Sequence, residues 1–225
     1  MFTYQHIREE LKSKFLERPF SCTFSWIINW INLEISKLPP GSIVLELGTF
    51  VGGSTQLFAR ANKDIIVHTI DLNQFDDDNH MLRDIVSTYE LPLLQVSDLL
   101  EIQKIHVEDF PNIILHTGDS KSLNIKNVSV VFIDANHTEE GVFADLEYAW
   151  NCLKDDGCIF GDDINCSQVY NAFAKFARDK DVELTLYSKA ARIRKTNTIS
   201  PNHRNFGQDI TKDILVAIQN NIDTD

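Results

Sequence analysis

Three carboxylates and an imidazole stand out for the chemistry they could perform together: Asp134, His137 and the pair Asp162-Asp163. Asp134 follows the apolar run Val128-Ser-Val-Val-Phe-Ile133, and Asp162, 28 residues later, follows a second run at Cys158-Ile-Phe160. Such β-branched runs read as strands. Between them Val142, Phe143, Leu146, Ala149, Trp150 and Leu153 form the apolar stripe of a helix. A right-handed strand–helix–strand crossover brings both strand ends to one edge of a parallel sheet, so these carboxylates can converge. Converging carboxylates repel one another, and a hard divalent cation such as Mg²⁺ relieves that repulsion. A turn or a cap on the following helix is the other reading of Asp162-Asp163. His137 titrates near neutral pH and could take a proton from a hydroxyl, orient Asp134, or face solvent at a helix start.

A second constellation opens at Glu46. The strand-like Ile43-Val-Leu-Glu-Leu47 runs into Gly48-Thr-Phe-Val-Gly-Gly-Ser-Thr55 and then into helical sequence. Glycines let the backbone turn sharply and approach a ligand, while a helix start offers unpaired N–H groups. The dinucleotide fingerprint Gly-x-Gly-x-x-Gly needs glycine where this chain has Phe50. The pattern here, Glu-x-Gly-x-x-x-Gly, suits a cofactor bearing an amino acid and no pyrophosphate. Glu46 could reach its amino group directly or through water, with Gly48, Gly52 and Ser54 around it; a tight turn with no ligand is the alternative. The next run, Ile65 to Ile70, ends at Asp71, which can accept both hydroxyls of a ribose. A third, Asn112 to His116, leads to Gly118-Asp119-Ser120, where Asp119 or Ser120 could contact an adenine or make a turn. Three polar sites on successive strand ends are harder to explain as turns alone.

Elements must hold these groups in place, and the chain of 225 residues has the length for one well-buried domain. Apolar strands alternating with amphipathic helices predict an α/β fold with a parallel sheet. Two late runs, Val182 to Tyr187 and Ala191 to Arg194, predict an antiparallel edge pair, with the basic run Lys189 to Lys195 as a charge-guarded edge strand. Ahead of the sheet, Ile7, Leu11 and Phe15, then Phe24, Ile27, Ile28, Ile31 and Ile35, predict a helical cap over 1–40 that ends at Pro39-Pro40-Gly41. Trp26 and Trp30 lie outside that stripe, for packing on a neighbour, a substrate or a second copy in a homodimer. Within a core of 41–197, the stretch 73–111 reads as an insertion over the cofactor edge. Its acidic triplet, Asp76 to Asp78, reads as a solvated loop. A polar tail spans 198–225.

At −12, the formal net charge opposes a nucleic-acid partner, since that affinity rests on cations meeting phosphates. No apolar run approaches the roughly 20 residues of a membrane span, and the N-terminus lacks a signal-peptide layout, so a cytoplasmic protein is expected. The cysteines, Cys22, Cys152, Cys158 and Cys166, contain no Cys-x-x-Cys pair and read as free thiols.

Taken together, Leu45 to Thr55, His116-Thr-Gly-Asp-Ser120 and Phe132-Ile-Asp-Ala-Asn-His-Thr-Glu-Glu-Gly-Val-Phe-Ala-Asp-Leu146 resemble the class I S-adenosylmethionine-dependent methyltransferases. Among these the chain looks most like the metal-dependent O-methyltransferases, the catechol-type and the macrolide and aminocoumarin sugar enzymes. The resemblance covers roughly 39–195. It implies a Rossmann-like, doubly wound, mainly parallel seven-stranded sheet. It also implies S-adenosylmethionine on Glu46, Gly48, Gly52, Ser54, Asp71, Asp119, Ser120 and Asp134, and Mg²⁺ or a similar cation on Asp134, Asp162 and Asp163. His137 and Asp134 would be catalytic toward a small-molecule or saccharide hydroxyl. Sugar enzymes of this group can be acidic at position 136; Asn136-x-x-Glu139 reads here as a helix-capping pair. Base-amine methyltransferases carry prolines where this chain has Asp134-Ala-Asn-His137. A nicotinamide oxidoreductase, and a cofactor-binding relative with hydroxylase-like or no chemistry, are the rival classes.

Overall fold

A computed structural model of the chain describes residues 12–17, 19, 21, 23, 25–73 and 99–196. In chain order the elements are α1 (Ser25–Ile35), β1 (Ile43–Leu47), α2 (Gly53–Ala61), β2 (Ile66–Asp71), α3 (Leu99–Val107) and β3 (Ile113–Thr117), then β4 (Val128–Ile133), α4 (Glu139–Cys152), β5 (Leu153–Gly161), α5 (Ser167–Lys180), β6 (Leu184–Tyr187) and β7 (Ala190–Arg194). Residues 12–17 are also helical. The strands form one seven-stranded sheet in the order β3-β2-β1-β4-β5-β7-β6. β1 to β5 are mutually parallel, and β7 runs antiparallel to both β5 and β6. The fold is therefore the expected Rossmann-like α/β one. Chain order reverses between β1 and β4, and ligands of doubly wound sheets bind beyond the carboxyl ends of such a pair.

Alternation along the strands feeds two cores. Leu45, Leu47, Val131, Ile133 and Ile159 face α4 and α5, where Leu146, Phe173 and Phe176 are buried. Val44, Val67, Val130, Phe132 and Phe160 face the other way, onto Ile27, Ile31 and Ile35 of α1 and Phe58 of α2. Each such side chain contributes on the order of 1.5–3 kcal/mol by leaving water. The stripe expected for α1 is the buried one, and the sharp stop at Gly41 has φ 76°.

Several details differ from the sequence pattern. β5 is nine residues long and starts at Leu153, assigned above to the helical stripe. Leu153 donates its N–H to Ala149 and closes α4, yet its Cα already pairs with Val128. β7 lies inside the sheet, since β6 forms the edge. Its basic residues are used internally: Arg192 and Arg194 reach Glu34 of α1 at 3.2 and 3.0 Å, and Lys195 donates to the carbonyls of Trp150 and Leu153. Of the stretch 73–111, residues 74–98, with the acidic triplet, lie outside the described residues. Its later part forms α3, part of the crossover from β2 to β3. The tail 198–225 and Cys22 also lie outside them. Cys152, Cys158 and Cys166 are free thiols, the first two buried. No described helix is long and apolar enough to cross a membrane.

Candidate active site

The loop after β1 is built on a buried acid. Glu46 has no exposed surface. The Ser54 hydroxyl donates to one carboxylate oxygen at 2.5 Å, while Thr55 and, at 2.6 Å, Thr69 donate to the other. Burial pushes the Glu46 pKa up to about 7; the three hydroxyls pull it back, and the charge of Asp134 adds to the rise. Glu46 thus lies beneath the loop, tying β1, β2 and the first turn of α2 together. Ser54 takes one acceptor position on the first oxygen, and Thr55 and Thr69 share the second. The Thr49 hydroxyl, 2.6 Å from that of Thr69, extends the network.

Gly48 has φ 98°, and a Cβ there would stand 2.0 Å from the carbonyl oxygen of Asp134. The close approach that demands glycine is therefore to the chain's own β4, not to a ligand alone. Gly48 donates to the Ile70 carbonyl and Asp134 to that of Leu47, each at 2.9 Å, so the ends of β1, β2 and β4 are laced together. Gly52, with φ 87°, caps α2 without any side-chain bond. The N–H groups of this first turn thus take no cap from a side chain at position 52.

Asp71 accepts the N–H of Phe50 on one oxygen at 2.8 Å and that of Asn73 on the other at 2.7 Å. It joins the loops after β1 and β2, and each oxygen keeps capacity for a further donor. Gln103 of α3, fully buried, donates to the Phe50 carbonyl and to Asn73 Oδ1 (2.8 Å), fastening the same two loops from above. Nothing in the sequence marked Gln103. Thr69 did carry a signal: a hydroxyl inside an apolar strand must find a partner. Asp119 is exposed and caps the 3₁₀ turn Ser120–Ser122 by accepting the Lys121 N–H at 2.9 Å. Ser120 donates to Asp145, whose pKa burial raises. The turn reading of this pair is thus present in the structure.

At the ends of β4 and β5 the acidic residues converge. Donor atoms of Asp134, His137 and Asp163 all lie within 4.8 Å of one another. His137 Nε2 is 3.3 Å from Asp163 and 3.9 Å from Asp134. The Asp134 carboxylate, accepting from the ring, leads in raising the His137 pKa; burial opposes it, and the charges of Asp163 and Asp134 add. Asp162 is not in this compact set. It is 7% exposed, and one of its oxygens accepts the Asp163 N–H at 2.7 Å. Burial first, then Asp134, pushes its pKa to about 7. Among the described residues the compact set is thus Asp134, His137 and Asp163, with the expected ligand Asp162 next to it in the chain. Asp163 takes φ 54°, a left-handed conformation that breaks the alternation of an extended chain and lets adjacent carboxylates differ in role. Oxygen donors and one imidazole at this spacing suit a divalent cation.

Two further residues complete the edge. Thr23, buried, donates to Asp134 Oδ2 at 3.1 Å, so the N-terminal segment reaches the cluster. Lys189 lies in the β6–β7 turn, where its carbonyl accepts the Ile164 N–H at 2.7 Å, and its charge eases the ionisation of Asp162 and Asp163. The helix cap is Thr138, not Asn136: Thr138 accepts the Gly141 N–H, while Asn136 Oδ1 accepts the N–H and hydroxyl of Thr138 at 2.7 and 2.6 Å.

Residues 45–164 match a family model described as a methyltransferase domain. No curated protein matches the sequence closely enough to count as a relative. Among solved structures, a candidate caffeoyl-CoA O-methyltransferase from Staphylococcus aureus is 18% identical, with a TM-score of 0.52 over 85% of this chain and 95% of that one. An SAH-bound methyltransferase from Podospora anserina is 14% identical, with 0.54 over 84% and 88%. A SAM-dependent O-methyltransferase from Thermotoga maritima is 12% identical, with 0.52 over 84% and 72%. At such identities these neighbours speak for the fold. The fold and site define a class I, S-adenosylmethionine-dependent methyltransferase. Within that class, the chain belongs to the methyltransferase-domain family whose model it matches.

Proposed function

We propose that the protein transfers the methyl group of S-adenosylmethionine to a hydroxyl oxygen of a small-molecule or saccharide acceptor, with a divalent cation such as Mg²⁺ at the carboxylate cluster. One observation carries the reading: Asp134, His137 and Asp163 gather within 4.8 Å at the sheet edge, and the Asp134 backbone lies against Gly48 of the cofactor loop. Cofactor loop and acidic cluster are thus adjacent.

Asp134 and Asp163, backed by Asp162, would hold the cation, which when bound lowers the pKa of the acceptor hydroxyl and steadies its oxygen. Thr23 fixes one oxygen of Asp134 and leaves the other toward His137. His137 is 52% exposed, so its ring can meet both an entering acceptor and water. It takes the hydroxyl proton as the oxygen bonds to the methyl carbon and the carbon–sulfur bond breaks, leaving S-adenosylhomocysteine. The uncapped first turn of α2 would hold the carboxylate of the methionine moiety, and Asp71 the ribose hydroxyls. Positioning supplies much of the acceleration.

Methyl transfer from labelled S-adenosylmethionine to catechol and to simple glycosides, with Mg²⁺ or with EDTA, tests the reading. Transfer that needs Mg²⁺ and falls by about 100-fold or more in Asp163→Asn is expected, since the lost group acts at the reacting oxygen. Equal rates in EDTA would remove the cation from the mechanism. Failure to bind S-adenosylmethionine in calorimetry would refute the whole reading.

A further inference from the structure

The sheet is covered unevenly. α2, α3 and α4 carry the crossovers from β1 to β2, β2 to β3 and β4 to β5, but the β3–β4 connection has only the 3₁₀ turn Ser120–Ser122. That connection lies against α4, where Tyr148 donates to the Leu123 carbonyl at 3.1 Å and Ser120 donates to Asp145. On the side that α4 and α5 cover elsewhere, β2 and β3 keep apolar groups in water. Ile66 and Ile114, 36% and 42% exposed, alternate with Val67 and Ile113, which face α1 and α2. On the same face His68 Nδ1 and His116 Nε2 lie 2.9 Å apart, with the rings within 9° of parallel. Burial lowers the pKa of both, and the charge of His116 adds for His68, so the patch is uncharged near neutral pH. A sheet face of this kind calls for a second layer over it.

The chain itself has a segment suited to that layer. Ile210, Ile214, Ile218 and Ile222 recur every four residues, the apolar stripe of a helix, and Gly207 precedes them. The point from which this segment departs is fixed. β7 runs antiparallel to β5, so Thr196 leaves the sheet at the amino ends of the parallel strands, the end at which Ile66 begins β2. The register is level from Arg194 of β7 through Cys158, Val130, Val44 and Val67 to Ile113, the neighbour of Ile114. That path crosses from β7 to β3 over β5, β4, β1 and β2, roughly 24 Å. The residues from Thr196 to Ile210 extend to about 46 Å, ample for the crossing. The segment 74–98 is less well placed, because its flanks meet at the opposite edge, where Gln103 of α3 holds Asn73 at 2.8 Å.

We infer that residues 210–222 dock as an amphipathic helix on the face of β2 and β3 formed by Ile66, His68, Ile114 and His116. The isoleucine stripe meets the two exposed isoleucines and the paired rings, and it supplies the helix that the β3–β4 connection lacks. Docked there, the segment braces β3, the edge strand that leads into Gly118-Asp119-Ser120. This docking does not depend on which acceptor is methylated.

Photocrosslinking of the full chain, with p-benzoylphenylalanine in place of the exposed Ile114, tests it. The expected product is an adduct of monomer mass whose linked peptide falls within 207–222. An adduct to 74–98, an adduct of dimer mass, or no adduct overturns the inference. Hydrogen exchange in the full chain gives a second reading. Amides of 211–222 are expected to exchange at least about tenfold more slowly than in a synthetic peptide of the same sequence, as docked but local structure does. Ile114→Asp removes that protection, and Ile214→Asp in turn speeds exchange in β3. Unchanged exchange in β4 shows that each variant is folded. Unprotected amides over 211–222 in the full chain, or protection indifferent to Ile114→Asp, overturn the docking.

Discussion

Replacing Glu46 with glutamine exchanges one oxygen for nitrogen inside a closed hydroxyl cage and removes a buried titration. The pKa of Glu46 is about 7 in the fold, against an ordinary 4.5, with burial as the leading cause. Because the folded value is the higher one, the folded state holds the proton more tightly than the unfolded chain does. Its contribution to stability is therefore fully present below about pH 4.5 and is lost as pH rises through about 7. At 1.36 kcal/mol per unit, the loss across this window is about 3 kcal/mol. Other groups also titrate here, Asp162 among them, so the informative quantity is the difference between wild type and Glu46→Gln. Urea unfolding of both proteins from pH 4.5 to 8.5 measures it. The expected result is a stability difference that shifts by about 3 kcal/mol in favour of the variant as pH rises. Its absolute offset depends on how well the amide satisfies Ser54, Thr55 and Thr69, but that offset does not vary with pH. Parallel curves would refute the argument, for they would mean that Glu46 stays ionised in the fold or reaches water.

Gly48→Ala should cost about 2–4 kcal/mol, from the left-handed conformation and from a methyl group forced against the Asp134 carbonyl. Thermal unfolding reads the stability loss, and methyl transfer should fall further than stability alone explains because Asp134 must move. Gln103→Leu keeps the size of the side chain but leaves the Phe50 carbonyl and Asn73 without their donor. A loss of about 1–3 kcal/mol is expected, with S-adenosylhomocysteine affinity down several-fold in calorimetry; an unchanged affinity would detach α3 from the cofactor loops.

What the sequence determined by itself follows from short-range patterns. Ile43–Leu47 and Val128–Ile133 could be read as strands because both faces of a central parallel strand are apolar. Ile27, Ile28, Ile31 and Ile35 revealed a buried helix face through their spacing. Convergence of Asp134 with Asp162-Asp163 was legible because crossover handedness fixes where successive strands end. The particular partnerships were decided by tertiary structure. Whether Asp162 or Asp163 joins Asp134 depends on one left-handed residue, and His137 enters the cluster from the turn before α4. Ser54, Thr55 and Thr69, the hydroxyls that hold Glu46, meet on its carboxylate only in the fold. Arg192 and Arg194 looked like edge guards until β6 covered β7 and Glu34 met both. Local periodicity records which side of a chain is dry, because one element alone sets it. The partner of a polar group across the fold depends on residues tens of positions away, and only the packed chain brings them within hydrogen-bond reach.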